Sequence, residues 1–409
     1  MRAAALLAAL ALPQAEALCN WSWHPKRFGC QRPLDLPSPA PSVRPSHTPP
    51  SALPALACLP PFPSFPLLPL LLPLLLLLLA AAAAFYLGRA SRRPRPPPPP
   101  PPLRTLDIPL WSGSAHPRMR LFFPPALPAD AACAAFVVLR GGGFYSCMGS
   151  GEGAAAWAAR AGMVGVEVEY AAVRGAQPIH GPAGAEGALP PLPQGEAAYP
   201  QCVDDACRAV RLLRKMGADG RLPIDGARVA VCGFSAGGHL AALLATRHES
   251  ALTVSAKDEL SGMVSCRPDR AVLCYAVTML TRDDDPEKMA NVAVNLLGAG
   301  CHDMRLKKAL SPALHVGRAT PPLFIWCTAD DPTVPSAHSI ALYTAARAAG
   351  VAAELHVYHD AVKGGAHAQG MAEDNPCLRG WADQCLAWLG PAWCAHRARI
   401  APPAASASQ

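Results

Sequence analysis

The chain has 409 residues, and its formal charge of +7 is unevenly placed. Residues 1–104 hold ten basic and two acidic residues, whereas residues 105–409 hold 26 and 27. The larger part therefore lacks the basic excess of a nucleic-acid-binding face, and it is long enough for one α/β domain with a large core. The 15 cysteines form no C-x-x-C pair and no zinc spacing, and their odd number argues against a complete disulfide framework. Cys232, Cys274, Cys327 and Cys385 fall in apolar segments where cysteine acts as a small buried residue, so mostly reduced thiols are expected.

Residues 1–66 read as a low-complexity segment rich in proline. Its first 18 residues have a signal-like start, with Arg2 followed by an Ala/Leu run, but Ala15, Glu16 and Ala17 make a poor cleavage site. Asn20, Trp21 and Ser22 form a glycosylation sequon that matters only if this end is translocated. Residues 67–88 contain no charged group and include six consecutive leucines at 74–79. Such a run is long enough for a transmembrane helix. Arg89, Arg92, Arg93 and Arg95 follow at once, which favours a cytoplasmic C-terminal flank. Residues 89–104 form an Arg/polyproline linker whose proline run predicts a stiff stalk. This reading gives a single-pass membrane protein, associated through residues 67–88, with its following domain in the cytoplasm.

The globular domain is assigned to residues 105–395, followed by a disordered tail at 396–409. Residues 134–139 are an apolar strand ending at Arg140 and the glycine run Gly141, Gly142 and Gly143. Residues 163–170 alternate as a strand should, and residues 171–198 read as loop. Residues 199–216 predict a helix with one apolar side and Arg208, Arg211, Arg214 and Lys215 on the others. Residues 229–234 then run as a strand into Gly233, Phe234, Ser235, Ala236 and Gly237, a G-x-S-x-G turn that opens an Ala/Leu-rich helix. A strand at 270–276 is followed by a polar, partly helical stretch at 280–310, where a cap would be inserted. A strand at 322–328, a helix at 336–349, a strand at 353–358 and a helix at 377–389 close the pattern. Alternating apolar strands and helices predict an α/β fold with a mostly parallel sheet covered on both faces.

The strand–turn–helix context makes Ser235 a candidate nucleophile, held on a tight elbow with its hydroxyl pushed out of the sheet. A nucleophilic serine needs a base and a group that orients that base, and on a fold with a strand–elbow–helix nucleophile the chain order is Ser, then Asp or Glu, then His. The acid is expected in the loop after the 322–328 strand. Asp331 is the assignment and Asp330 the neighbour that could replace it. The base is expected after the last strand, where His367 lies among small residues; His356 and His359 sit in or at the end of the strand. Two backbone donors are needed for an oxyanion. Ala236, just after the nucleophile, offers one, and Gly142 or Gly143 the other. The acidic run Asp283, Asp284 and Asp285 reads as a solvated loop, so no metal site and no cofactor are expected.

The tracts VVLRGGGFY, YPQCVDDACRAVRLLR, VAVCGFSAGGHLAA, LSPALHV, TPPLFIWCTADDPTVP and AELHVYHDAVKGGAHAQG together resemble the α/β-hydrolase superfamily. Within it they are similar to the esterase group of BD-FAE-like, acetyl-xylan-esterase-like and GDXG lipolytic enzymes, over about residues 120–390. That group usually has His or Pro before its glycine run, where this chain has Arg140. It often has His-Gly at the base, where Ala368 follows His367 here. The resemblance implies an α/β-hydrolase fold and hydrolysis of small-molecule or carbohydrate esters, with a Ser235–His367–Asp331 triad and an oxyanion hole of Gly142, Gly143 and Ala236. Two other readings share the fold: a non-catalytic ligand-binding protein, which commonly lacks a triad member, and a serine peptidase, which usually carries an added propeller or larger cap.

Overall fold

The structure is a computed structural model that describes residues 77–78, 101–114, 117–127, 132–148, 151–175, 196–248, 250–282, 287–360, 362 and 367–394. Apart from Leu77 and Leu78, the expected membrane span at 67–88 lies outside the described residues, as do residues 1–66, the tail and the acidic run at 283–285. Among the described residues no helix is long and apolar enough to cross a membrane.

Eight strands form one sheet: β1 (Thr105–Pro109), β2 (Arg118–Phe122), β3 (Cys133–Leu139), β4 (Val164–Val168), β5 (Ile224–Phe234), β6 (Arg270–Cys274), β7 (Leu323–Thr328) and β8 (Ala353–Tyr358). They lie in the order β1-β2-β4-β3-β5-β6-β7-β8. β1 and β2 pair antiparallel, and β2 pairs antiparallel with β4. From β4 to β8 every pairing is parallel. The helices are α1 (Gly151–Arg160), α2 (Gln201–Ala218), α3 (Ala236–Arg247), α4 (Glu287–Leu297), α5 (Met304–Ala309), α6 (Ala337–Ala348) and α7 (Trp381–Leu389).

The period-two rule divides the core. In β3, Val137 and Leu139 join Val231 of β5 and the inner sides of α2, α3 and α6 on one face. Phe136 and Val138 join α1 and α7 on the other, where Trp326 and Trp381 stack with centroids 5.2 Å apart. β3 is buried along its whole length, as a strand covered on both faces must be. Each fully buried side chain such as Phe136 or Val231 contributes about 1.5–3 kcal/mol by leaving water.

Three elements depart from the sequence expectation. β1, β2 and α1 occupy stretches in which no element was expected. The arginines of α2 are also not all on a solvated side: Arg208 and Arg211 are buried. The segment after α3 folds over that side. There Asp258 accepts from both guanidinium groups, with Arg211 Nη1 2.7 Å from its Oδ2. Arg211 also donates to the carbonyls of Thr253 (2.6 Å) and Val264 (3.1 Å). A buried charge has to be paired, and helix periodicity alone does not reveal a partner some fifty residues away. Every described cysteine is a free thiol.

Candidate active site

The site is assembled at the carboxyl ends of β3, β5, β7 and β8, where open α/β sheets bind ligands. Ser235 follows β5 and caps α3 with φ 54° and ψ −115°. Its amide donates to the Cys274 carbonyl of the neighbouring strand (3.0 Å). This left-handed backbone is held by close packing. A Cβ on Gly237 would lie 2.2 Å from the Leu139 carbonyl oxygen, so only glycine lets α3 start so near β3.

His367 Nε2 is 2.8 Å from Ser235 Oγ, and its Nδ1 is 2.7 Å from Asp331 Oδ2. Asp331 is buried at the end of the β7 loop. Its Oδ1 accepts from the amides of Thr333 (2.8 Å) and Val334 (2.9 Å), which leaves Oδ2 aimed at the imidazole. With Oδ1 so occupied, Oδ2 faces the Nδ1 edge of the imidazole while the Nε2 edge faces the serine hydroxyl. Asp330 and His359 form a separate, exposed pair 3.7 Å apart, outside this chain of bonds.

Tyr275 supports the histidine from below. Its ring meets the imidazole at 66° with centroids 4.8 Å apart, and its hydroxyl accepts from the Gly370 amide (2.9 Å). Burial raises its phenol well above the ordinary range, so it stays neutral. Its φ of 39° is uncommon for a bulky residue. Nothing in the sequence distinguishes Tyr275 from an ordinary residue at a strand end.

The glycine run after β3 forms a loop with three left-handed residues in succession, Gly142 (φ 127°), Gly143 (φ 62°) and Phe144 (φ 58°). The Gly142 carbonyl accepts from the amides of Tyr145 (3.0 Å) and Ser146 (3.2 Å), and a Cβ on Gly142 would strike the Ser146 carbonyl oxygen at 1.7 Å. Arg140, which precedes the glycine run, is buried. Its Nε lies 3.1 Å from Glu167 Oε1, and its carbonyl accepts from the Tyr170 hydroxyl. A cavity of ≈ 250 Å³ opens over Ser235 and His367, lined by Gly142 and Gly143 and by the apolar Met148, Phe234, Tyr275 and Val292. Gly142, Gly143, Ser235 and His367 thus share one cavity. Ala236, the first residue of α3, follows Ser235 directly.

The BD-FAE family model matches residues 193–346. An endo-1,4-beta-xylanase B of Butyrivibrio fibrisolvens is 33% identical over 149 residues, which is 36% of this chain. The chain spans only 22% of that relative's length. The acetyl ester-xyloside bifunctional hydrolase of Caldicellulosiruptor lactoaceticus superposes with a TM-score of 0.53 at 29% identity, over 69% of this chain and 94% of that one. An esterase of Thermogutta terrifontis superposes with a TM-score of 0.52 at 23% identity, over 72% of this chain and 97% of its own, which speaks for the fold. The fold is that of the α/β-hydrolases, and residues 193–346 carry the likeness to the BD-FAE esterase family.

Proposed function

We propose that the protein hydrolyses short-acyl carboxylic esters, acetyl esters of small molecules or sugars among them, through an acyl-enzyme on Ser235. The observation that carries this reading is the unbroken chain Ser235 Oγ–His367 Nε2–His367 Nδ1–Asp331 Oδ2, with links of 2.8 and 2.7 Å, at the floor of a small apolar cavity.

Ser235 Oγ attacks the ester carbonyl as His367 Nε2 takes its proton. The carbonyl oxygen becomes an oxyanion, received by amides of Ala236 and of Gly142 or Gly143. The tetrahedral centre collapses, and His367 returns the proton to the departing alcohol oxygen. Water then enters, gives a proton to His367, and splits the acyl-serine to acid and free enzyme. Asp331 does not take the proton; it keeps Nδ1–H in place and stabilises the imidazolium. A cavity of ≈ 250 Å³ suits a small acyl group. The similarity to an acetyl ester hydrolase supports the acetyl class.

The decisive experiment is a panel of p-nitrophenyl esters of increasing chain length and acetylated sugars, run with a fluorophosphonate probe. Wild type should hydrolyse the short esters and take up the probe at Ser235. A protein that does neither overturns the esterase reading. The further reading, that residues 67–88 anchor this enzyme to a membrane with its domain on the cytoplasmic side, rests on the uncharged leucine run and the four arginines that follow it.

A further inference from the structure

Residues 140–145 have each main-chain carbonyl bound by a donor. Arg140 accepts from the Tyr170 hydroxyl and Gly141 from the Met148 amide (2.9 Å). Gly142 accepts from Tyr145 and Ser146, Phe144 from the Val173 amide (2.9 Å) and Tyr145 from the Arg174 amide (2.6 Å). All of these donors lie within the same N-terminal part of the domain. The Gly143 carbonyl is different: it accepts from Asn295 Nδ2 at 3.0 Å, a side chain of α4, 152 positions away.

We propose that Asn295 is a positioning residue for the oxyanion loop, setting the orientation of the Gly143 peptide so that its neighbouring amides stay aimed at the Ser235 oxyanion. The inference rests on the esterase reading above. A trans peptide is rigid, so holding the Gly143 carbonyl fixes the plane it shares with the Phe144 amide, and the Gly143 amide on the other side of that α-carbon can then move only through φ and ψ of Gly143. Gly142 and Gly143 have the widest choice of those angles. The planes before Gly142 and Gly143 are held by the Met148, Tyr145 and Ser146 amides, so without Asn295 the loop is left with one free plane, at the Gly143 hinge beside the reacting atoms. Asn is suited to the task because its amide group is an uncharged donor.

α4 is itself well fixed. The carbonyls of Asn295 and Leu296 accept from the amides of Ala198 (3.0 Å) and Tyr199 (2.9 Å), just before α2. Val292, one helical turn before Asn295 and so on the same side of α4, lines the cavity. The Val292 Cγ2 atom would lie 3.8 Å from a Cβ on Gly143. One helix face therefore both narrows the acyl cavity and holds the loop that receives the oxyanion.

The test compares wild-type full chain with Asn295→Asp, Asn295→Leu and Asn295→Gln on p-nitrophenyl acetate, normalised to sites titrated with a fluorophosphonate. Asp has nearly the shape of Asn but cannot donate from an ionised carboxylate; Gln keeps the donor on a longer arm. Losing an oxyanion donor outright costs about 10²–10³ in kcat, so loosening one should cost about tenfold in the Asp and Leu variants, with KM little changed. Affinity for a phenylboronic acid, whose tetrahedral serine adduct carries an oxygen in the same place, should fall by the same factor. Gln should recover part of the loss. A residue that only supports the fold would lower the unfolding midpoint and the titratable fraction but leave kcat per titrated site at the wild-type value, and that result overturns the proposal. So does a Gln variant no better than Leu. Wild type that neither turns over nor takes up the probe overturns the esterase reading and this one with it.

Discussion

Asp330 and Asp331 are adjacent in sequence and opposite in environment. The Asp331 side chain is fully buried, with both oxygens engaged, while that of Asp330 is 67% exposed beside His359. Asp331→Asn should lower kcat by roughly 10²–10⁴-fold, because the amide favours the wrong tautomer of His367, and Asp330→Asn should change little. If steady-state kinetics rank them the other way, the acid is misassigned. Ser235→Ala should lose activity by several orders of magnitude and all fluorophosphonate labelling, with an unchanged circular dichroism spectrum. That Ser235, Asp331 and His367 come together was legible in the chain, because each lies in a turn or loop just after an apolar strand. Tyr275 and Asn295 were not. Their use depends on a ring edge and an amide reaching across the fold, and neither leaves a pattern among its own neighbours.

Elements built from long apolar strands were legible; those built from small residues were not. α1, GEGAAAWAAR, has few large apolar side chains to mark a period. It packs close to the sheet because β4 offers a glycine there: a Cβ on Gly165 would meet the Ala155 carbonyl oxygen at 1.8 Å. β1, TLDIP, is short and mostly exposed, which is hard to tell from a loop. For α2, the Arg208–Asp258–Arg211 cluster leads to a direct test. Asp258→Ala leaves two buried guanidinium groups without their shared carboxylate and should cost about 3–5 kcal/mol in urea unfolding. A loss near zero would mean that water reaches them.

α3 and α2 also predict opposite pH responses. Burial, opposed by the Val277 carbonyl and aided by His338, holds His239 of α3 down to about 4, against an ordinary 6.5. Its folded pKa lies below the unfolded one. Its contribution is therefore complete above 6.5 and lost as pH falls through that range towards 4. Burial pushes Asp205 of α2 up to about 6 from 3.8, against the hydrogen bonds from Trp111, Gln201 and the Ala171 amide. Its contribution is complete below 3.8 and lost as pH rises through about 6. Relative to wild type, His239→Gln should therefore gain stability as pH is lowered from 7 to 4.5, and Asp205→Asn as it is raised across the same interval. Urea unfolding at both ends reads the two signs, and a pair of parallel responses would refute the assignment.

For the molecule as a whole, the anchoring reading predicts that the full chain pellets with membranes and resists carbonate extraction. Residues 105–409 alone should stay in the supernatant and keep esterase activity, since Ser235, Asp331 and His367 all lie within them. A full chain recovered in the soluble fraction would assign residues 67–88 to low-complexity sequence.

The antiparallel edge gives the domain a direction of mechanical weakness. Any pull on the chain before Leu103 enters the sheet at β1, where Thr105 pairs with Phe122 at the open end of the ladder and Pro109 pairs with Arg118 near its turn. Load applied at the open end breaks the pairs one after another, beginning with Thr105 and Phe122, instead of shearing them together. A small latch precedes them: the Phe123 amide donates to the Arg104 carbonyl (3.0 Å), and the Arg104 guanidinium sits 4.0 Å over the Phe123 ring. β2, β4 and β3 separate β1 from β5. β1 is therefore a fuse, the first strand to yield to such a pull, with three strands between it and the one that leads to Ser235.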